Sequence, residues 1–208
     1  MMIKNQMDFH LLVKGMPSCY DIDISWERSD GMARLSIPVG ISDFEKIRKN
    51  GYYYVDKSGL IAELLEEKST EVTLITRPRR FGKTLGMSML ANFFDIRKES
   101  TELFKGLEIA EQRDVCSEWM NQFPTLFVTF KDVDGLDFSS AYAMLSSTIT
   151  ELYKEHLYLM ESSWINSYDK EIMQRIITEE ATVTDIKKSL ALLIKLMQQH
   201  YQKNVILL

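Results

Sequence analysis

V-T-L-I-T-R-P-R-R-F-G-K-T-L-G-M-S-M-L-A-N-F-F, Val72 to Phe94, is the stretch whose reading decides the fold. Val72 to Thr76 is β-branched and apolar over the length of a strand, the composition of a buried parallel strand. Gly82-Lys83-Thr84 follows. A bound phosphate needs backbone N–H groups aimed at it, a mobile cation on its outer oxygens and a hydroxyl to ligate Mg²⁺, and these three residues supply them in that order. Leu85, Met87, Met89, Leu90, Phe93 and Phe94 then make a mostly apolar helix, whose N-terminus presents the positive end of its dipole to the same place. Strand, loop and helix stand in the order a phosphate-binding loop requires.

The entry to the loop departs from the general pattern G-x-x-x-x-G-K-[ST]. Arg77 stands where the first glycine is asked for, and Pro78 follows it. Arg77 must take the turn off the strand with a Cβ, and Pro78 removes one N–H donor while fixing φ. Arg79 and Arg80 either add cationic donors beside the phosphates or stand as solvated loop charges. The nucleotide-binding set read from the sequence is therefore Arg79, Arg80, Phe81, Gly82, Lys83, Thr84 and Leu85. In it Lys83 reaches the β- and γ-phosphates and steadies transition-state charge if there is turnover, and Thr84 ligates Mg²⁺ carried in with the nucleotide.

R-P-R-R-F-G-K-T, preceded by I-P-V-G-I-S-D-F-E-K-I-R-K-N-G-Y-Y-Y-V-D-K-S (Ile37 to Ser58), resembles the predicted AAA-ATPase-like family of bacterial and archaeal proteins. The resemblance continues through L-F-K-G-L-E-I (Leu103 to Ile109) and F-P-T-L-F-V-T-F-K-D-V (Phe123 to Val133) to Leu208. It implies an α/β fold, a P-loop NTPase-like parallel sheet flanked by helices, with ATP and Mg²⁺ as ligands. It also implies that Arg77 is a family trait. Members often carry a PD-(D/E)xK nuclease-like domain after the P-loop domain, so a nucleic-acid partner enters only by analogy, through a domain absent from these 208 residues.

A P-loop ATPase uses a second strand ending in acidic residues to hold the Mg²⁺ shell and orient the attacking water. Asn204-Val205-Ile206-Leu207-Leu208 reads as the start of that strand, which family members continue into a D-E-Y-D-like segment. The expectation is a truncated member, C-terminally incomplete before the Walker B carboxylates. Asp132, after the apolar run Leu126 to Phe130, is the internal substitute for the metal site; its competing role is that of a turn former, since Asp132 to Asp137 with Gly135 reads as a loop. Tyr54, in the run Tyr52-Tyr53-Tyr54-Val55, is the candidate for stacking on a base, against the simpler reading of rings in core contact.

Composition bounds the rest. A chain of 208 residues with 45% hydrophobic content buries one substantial core. Its net charge of −5 argues against broad attraction to nucleic acid, and the Arg77, Arg79, Arg80 and Lys83 cluster is explained more economically by nucleotide phosphate. Cys19 and Cys116 lie far apart, and His10, His156 and His200 show no ligand spacing, which suits a reducing, metal-free cytoplasm. No apolar run approaches the ~20 residues of a membrane helix, and Met1 to Tyr20 lacks a signal peptide's apolar centre. Residues 1–36 read as a loosely ordered N-terminal arm, with Met32 an alternative start, and residues 37–208 as the partial P-loop domain. The oligomeric state leaves no trace.

Ser42-Asp43-Phe44-Glu45 predicts a capping box opening a short helix before Gly51, and Leu60 to Lys68 an amphipathic helix. Ser139 to His156 and Asp169 to Ile177 read as helices, and Thr182 caps a long one with Ile186, Leu190, Leu193, Ile194 and Met197 inward. The 12 methionines lie mostly at core spacings. Two functions fit: an ATP-binding P-loop module with little or no hydrolysis by this chain alone, or a non-enzymatic interaction fragment that keeps the fold without a ligand.

Overall fold

The computed structural model describes residues 36–66, 72–76, 78 and 81–208. The expected N-terminal arm lies outside the described residues except for Ser36, as do Arg77, Arg79 and Arg80 and the end of the predicted Leu60 to Lys68 helix. What is described is a mixed helical molecule with a small parallel sheet, consistent with an α/β fold.

The first half is built around one apolar cluster. Helix α1 (Phe44–Lys49) is capped by Asp43, whose side chain accepts from Lys46 N, so the cap falls one residue after the predicted Ser42. A carboxylate at that position satisfies an open N–H and also meets the positive helix end. Helix α2 (Gly59–Glu66) buries Leu60, Ile61 and Ala62, and α3 (Lys83–Phe94) buries Met89, Leu90, Phe93 and Phe94. Thr101–Phe104 (α4), a 3₁₀ turn at Glu108–Glu111 and Arg113–Trp119 (α5) complete the elements packed on this cluster. Phe104 is the hinge of the packing, with its ring 5.0 Å from Phe44 and 5.3 Å from Phe93.

The second half is a three-helix layer. Helices α6 (Phe138–Lys154), α7 (Ser167–Ile177) and α8 (Val183–Tyr201) pack on one another around Ile149, Tyr153, Met173, Ile176, Leu193, Leu196 and Met197. As the sequence predicted, Thr182 and Asp185 close a capping box at the start of α8, which offsets two open N–H groups at once. Tyr153 is fully buried, and its hydroxyl donates to Ser189 O at 2.7 Å, so the ring contributes area without stranding its polar end.

Two short strands join the halves. β1 (Thr125–Leu126) pairs in parallel with β2 (Ile206–Leu207), in the register Thr125 to Ile206 and Leu126 to Leu207. The ladder is carried by Ile206 N to Pro124 O, Leu208 N to Leu126 O and Val128 N to Leu208 O. The predicted apolar run to Phe130 thus contributes less strand than expected, and Phe130 is exposed.

The run Val72 to Thr76 differs from its sequence reading. It carries no strand assignment, and Val72 is 82% and Leu74 64% exposed. A strand exists only through pairing and cover. Among the described residues no backbone hydrogen bond reaches 72–76, so its β-prone composition has nothing to act on. Tyr52 to Val55 is likewise not a strand, although Tyr53 N donates to Ser36 O at 2.9 Å.

A buried polar cluster seals the joint. Asp95 caps the C-terminus of α3, an unfavourable place for a carboxylate because the negative end of the helix dipole faces it. Arg97 answers with Nε to Oδ1 at 3.0 Å and Nη2 to Oδ2 at 2.8 Å, and reaches His156 Nε2 at 3.2 Å through Nη1. The His156 Nδ1 atom lies 2.8 Å from Leu152 O; a carbonyl only accepts, so the proton is on Nδ1 and Nε2 accepts from Arg97. Asn121, in the left-handed region at φ 55, donates from Nδ2 to Asn92 O and Asp95 O, and so satisfies carbonyls that the end of α3 leaves open.

Burial, aided by the Arg97 charge, pushes the His156 imidazole below the usual histidine range. A histidine held neutral in the fold and protonated in the unfolded chain stabilises fully above the unfolded pKa, about 6.5, and loses that contribution as pH falls towards the folded value. Urea midpoints of wild type should therefore drop on going from pH 7.5 to pH 5.5. The drop should shrink in His156→Gln, where nothing remains at that position to protonate.

Candidate functional site

Gly82 sets the geometry of the loop. It is the N-cap of α3 with φ 74 and ψ 21, a left-handed conformation that a side chain resists, and it makes no side-chain cap. The next residues enter a helix of 12 residues directly, so the first-turn N–H groups of Lys83, Thr84 and Leu85 face outward at the positive helix end. Lys83 and Thr84 are exposed, while Phe81 and Leu85 are half-buried. The Lys83 ammonium turns back across the loop and donates to Pro78 O at 3.1 Å. The residues assigned from the sequence to phosphate, Phe81 to Leu85, are thus brought together at one helix start. Of the loop cations assigned with them, Arg79 and Arg80 lie outside the described residues.

The fold adds a residue that the sequence reading passed over. A Cβ built on Gly82 would lie 3.8 Å from Lys57 Nζ, so a second ammonium reaches the loop from before α2. Its backbone is held firmly. Asp56 Oδ1 accepts from Ser58 N at 2.8 Å, closing a tight turn around Lys57. The other oxygen, Oδ2, accepts from Glu108 N at 2.7 Å, and the fully buried Ser58 takes Ile109 N on its Oγ at 3.1 Å. Gly59 completes the fit, since a Cβ there would meet the Glu108 carboxylate at 2.9 Å. The signal in the sequence was D-K-S, an Asx-turn former around a lysine. Spacing along the chain could not connect it to Gly82.

Tyr54 lies in the apolar cluster. Its ring is edge-on to Phe44 at 5.3 Å, and its hydroxyl donates to Met89 Sδ at 3.2 Å. Burial raises its pKa to about 12, so the hydroxyl stays protonated. This placement accords with the core-contact reading of Tyr54. Asp132 sits exposed on a turn beside a groove lined by Thr129, Ser147, Thr148 and Glu151, with no described contact to Gly82 to Thr84. Among the described residues no group of three or more histidine, cysteine or acidic side chains is arranged to hold a metal. Cys116 is a free, half-buried thiol whose pKa burial raises. No helix among the described residues is long and apolar enough to cross a membrane.

Over 100 residues, 48% of this chain, the sequence is 38% identical to a protein of Azotobacter chroococcum mcd 1 described as "Uncharacterized protein in vnfD 5'region". The chain spans 18% of that relative's length. No solved structure matches. A sequence profile described as Predicted AAA-ATPase matches residues 38–208, from the segment before α1 through β2, and takes in the Gly82-Lys83-Thr84 loop together with Lys57; the chain belongs to that family.

Proposed function

We propose that this chain is an ATP-binding module of the P-loop NTPase type, taking nucleotide as its Mg²⁺ complex at the start of α3. The observation that carries the reading is Gly82 in its left-handed conformation at the N-cap of α3, where it has no side chain to cap the helix's first N–H groups. That is the form a backbone takes when it must come close to a phosphate. Lys83 would release Pro78 O to reach the outer phosphates, and backbone N–H groups from Phe81 to Leu85 would donate to the phosphate chain. The exposed Thr84 hydroxyl would ligate Mg²⁺. The metal would supply charge neutralisation between phosphate oxygens. Membership of a family described as AAA-ATPase supports the same assignment.

Binding is the activity proposed, and Asp132 is given no part in it, since its exposed turn lies among groove residues and not beside the loop. Saturating ATP–Mg²⁺ should raise the melting temperature. A ligand at about 100 times its Kd adds about 2.7 kcal/mol, and a domain of this size gains about 2–4 °C per kcal/mol, so a rise of roughly 5–10 °C is expected. Lys83→Ala removes a charge-assisted donor to the phosphates, worth about 1.5–3 kcal/mol, and ATP affinity should fall about 10- to 100-fold by titration calorimetry. Equal affinity in wild type and Lys83→Ala would refute the proposal. Absence of any nucleotide-dependent melting shift would favour a ligand-free interaction module instead.

A further inference from the structure

We infer that the groove between the chain after β1 and helix α6 is a docking surface for an extended, basic and apolar segment of a partner protein; the inference does not depend on the nucleotide-binding reading. The groove has a volume of about 550 Å³, with Phe127 to Thr129 on one side and α6 on the other. Met144, Thr148, Glu151 and Glu155 line it from α6 and its C-cap at spacings of three or four, so a single stripe of the helix forms that wall. Val128 and Leu152, which belong to the apolar packing of the second half, add apolar surface to the lining. Met144 is 39% exposed, and Phe130, the residue after Thr129, is 49% exposed. Large apolar side chains are thus open to water along a concave surface, the mark of a place where something docks.

Two features select the occupant. The first is charge of one sign. Asp132, Glu151 and Glu155 are the charged residues of the lining. Glu151 is paired with Lys154 at 2.8 Å, but among the described residues neither Asp132 nor Glu155 has an ion pair. Such a lining repels nucleic acid, anionic lipid and a second copy of a chain whose net charge is −5, and it attracts lysine and arginine. The second feature is open backbone. Leu208 N donates to Leu126 O and Val128 N to Leu208 O, both at 2.9 Å, so the ladder with β2 continues to Val128. Phe127, between these two partners, therefore turns its N–H and C=O away from β2. Among the described residues no backbone hydrogen bond reaches Phe127 or Thr129. An extended segment laid along them would satisfy those groups, and its side chains would alternate. Apolar ones then meet Met144 and Val128, and basic ones meet Asp132 and Glu155.

Fluorescence anisotropy of a labelled short peptide alternating lysine and valine, with the whole 208-residue chain and no nucleotide, tests this. Saturable binding is expected. A peptide with glutamate for lysine, or one methylated at alternate backbone nitrogens, should bind about tenfold more weakly or worse. Asp132→Asn with Glu155→Gln should weaken binding about tenfold and make it less sensitive to added NaCl. The same loss of charge outside the groove, Glu118→Gln with Glu171→Gln, should leave binding within about twofold of wild type. Ser147→Trp sets a large side chain in the groove from an exposed position and should abolish binding. Asp132 and Glu155 are exposed, so their double variant tests the inference even where the tryptophan disturbs α6. The inference falls if wild type shows no saturable binding, or if the two double variants weaken it equally, which would point to general charge attraction. Equal binding of the methylated peptide overturns the extended occupant. Self-association of wild type in sedimentation, lost in Ser147→Trp, would give the groove to a second copy and overturn the partner reading.

Discussion

Phe104→Ala is expected to cost about 3–5 kcal/mol of stability, the range for deleting a fully buried aromatic ring. The ring is completely buried and touches two others, Phe44 at 5.0 Å in a tilted contact and Phe93 at 5.3 Å edge-on. Phe44 belongs to α1, Phe93 to α3 and Phe104 to α4, so one deletion loosens three elements. The resulting cavity cannot close by a small shift, because each wall is itself pinned. Arg48 on α1 donates from Nε to Leu103 O and from Nη2 to Lys105 O, both at 2.7 Å, and Asn121 fastens the end of α3. A lowered melting temperature of roughly 8–15 °C should accompany the loss, and urea denaturation measures it directly. Phe104→Leu should cost less, since it keeps part of the volume. A loss below about 1 kcal/mol for the alanine variant would show that the cluster does not organise the first half of the molecule.

Arg97→Ala should cost a similar amount by a different route. Asp95 is 4% exposed, at the negative end of α3, and its bidentate partner would be gone. Removing Arg97 strands the buried carboxylate with only the residue-97 N–H at 3.0 Å; a fully buried pair loses about 3–5 kcal/mol, and the 33% exposure of the Arg97 side chain puts this loss towards the lower end. His156 would lose the donor to its Nε2 in the same step. The double variant Asp95→Asn with Arg97→Met should recover part of the loss, because it removes the stranded charge and retains the apolar stem. A double-mutant cycle in urea separates the coupling from simple loss of packing. If Arg97→Ala and the double variant are equally destabilised, packing carries the effect and the ion pair does not. The cluster bridges the end of α3 and the turn after α6, so its failure should also appear as easier exchange of amide protons in β1.

Most helices were legible from spacing and caps alone. Thr182 and Asp185 stand where a capping box demands them, and Ile186, Leu193 and Met197 fall on the buried face of α8 as a period of 3.6 requires. The stretch from about Leu103 to Trp119 was not legible. It folds as α4, a 3₁₀ turn and α5, pieces too short for periodicity to register, and tertiary contacts hold them. Phe104, Leu107 and Ile109 look like scattered apolar residues until Phe44 and Phe93 arrive to cover them.

The candidate site divides along the same line. Its loop was written in eight consecutive residues, Arg77 to Thr84, because the backbone N–H groups, lysine and threonine proposed to hold a phosphate lie beside one another in the chain. Lys57 was not, because it reaches Gly82 only after the turn at Asp56 and Ser58 is fastened to Glu108 and Ile109, contacts made across about 50 residues of chain.

By itself, then, the sequence determined the longer helices, the cap of α8 and the residue types offered by the Gly82-Lys83-Thr84 loop, since each depends on atoms within a few residues of one another. Tertiary structure decided which β-prone runs became strands, giving Thr125–Leu126 a partner in Ile206–Leu207 and leaving Val72 and Leu74 exposed. It also decided which lysine faces the loop. Both outcomes turn on contacts between distant parts of the chain. A β-prone segment pairs only if an edge is presented to it, and a cation serves a site only if the fold carries it there.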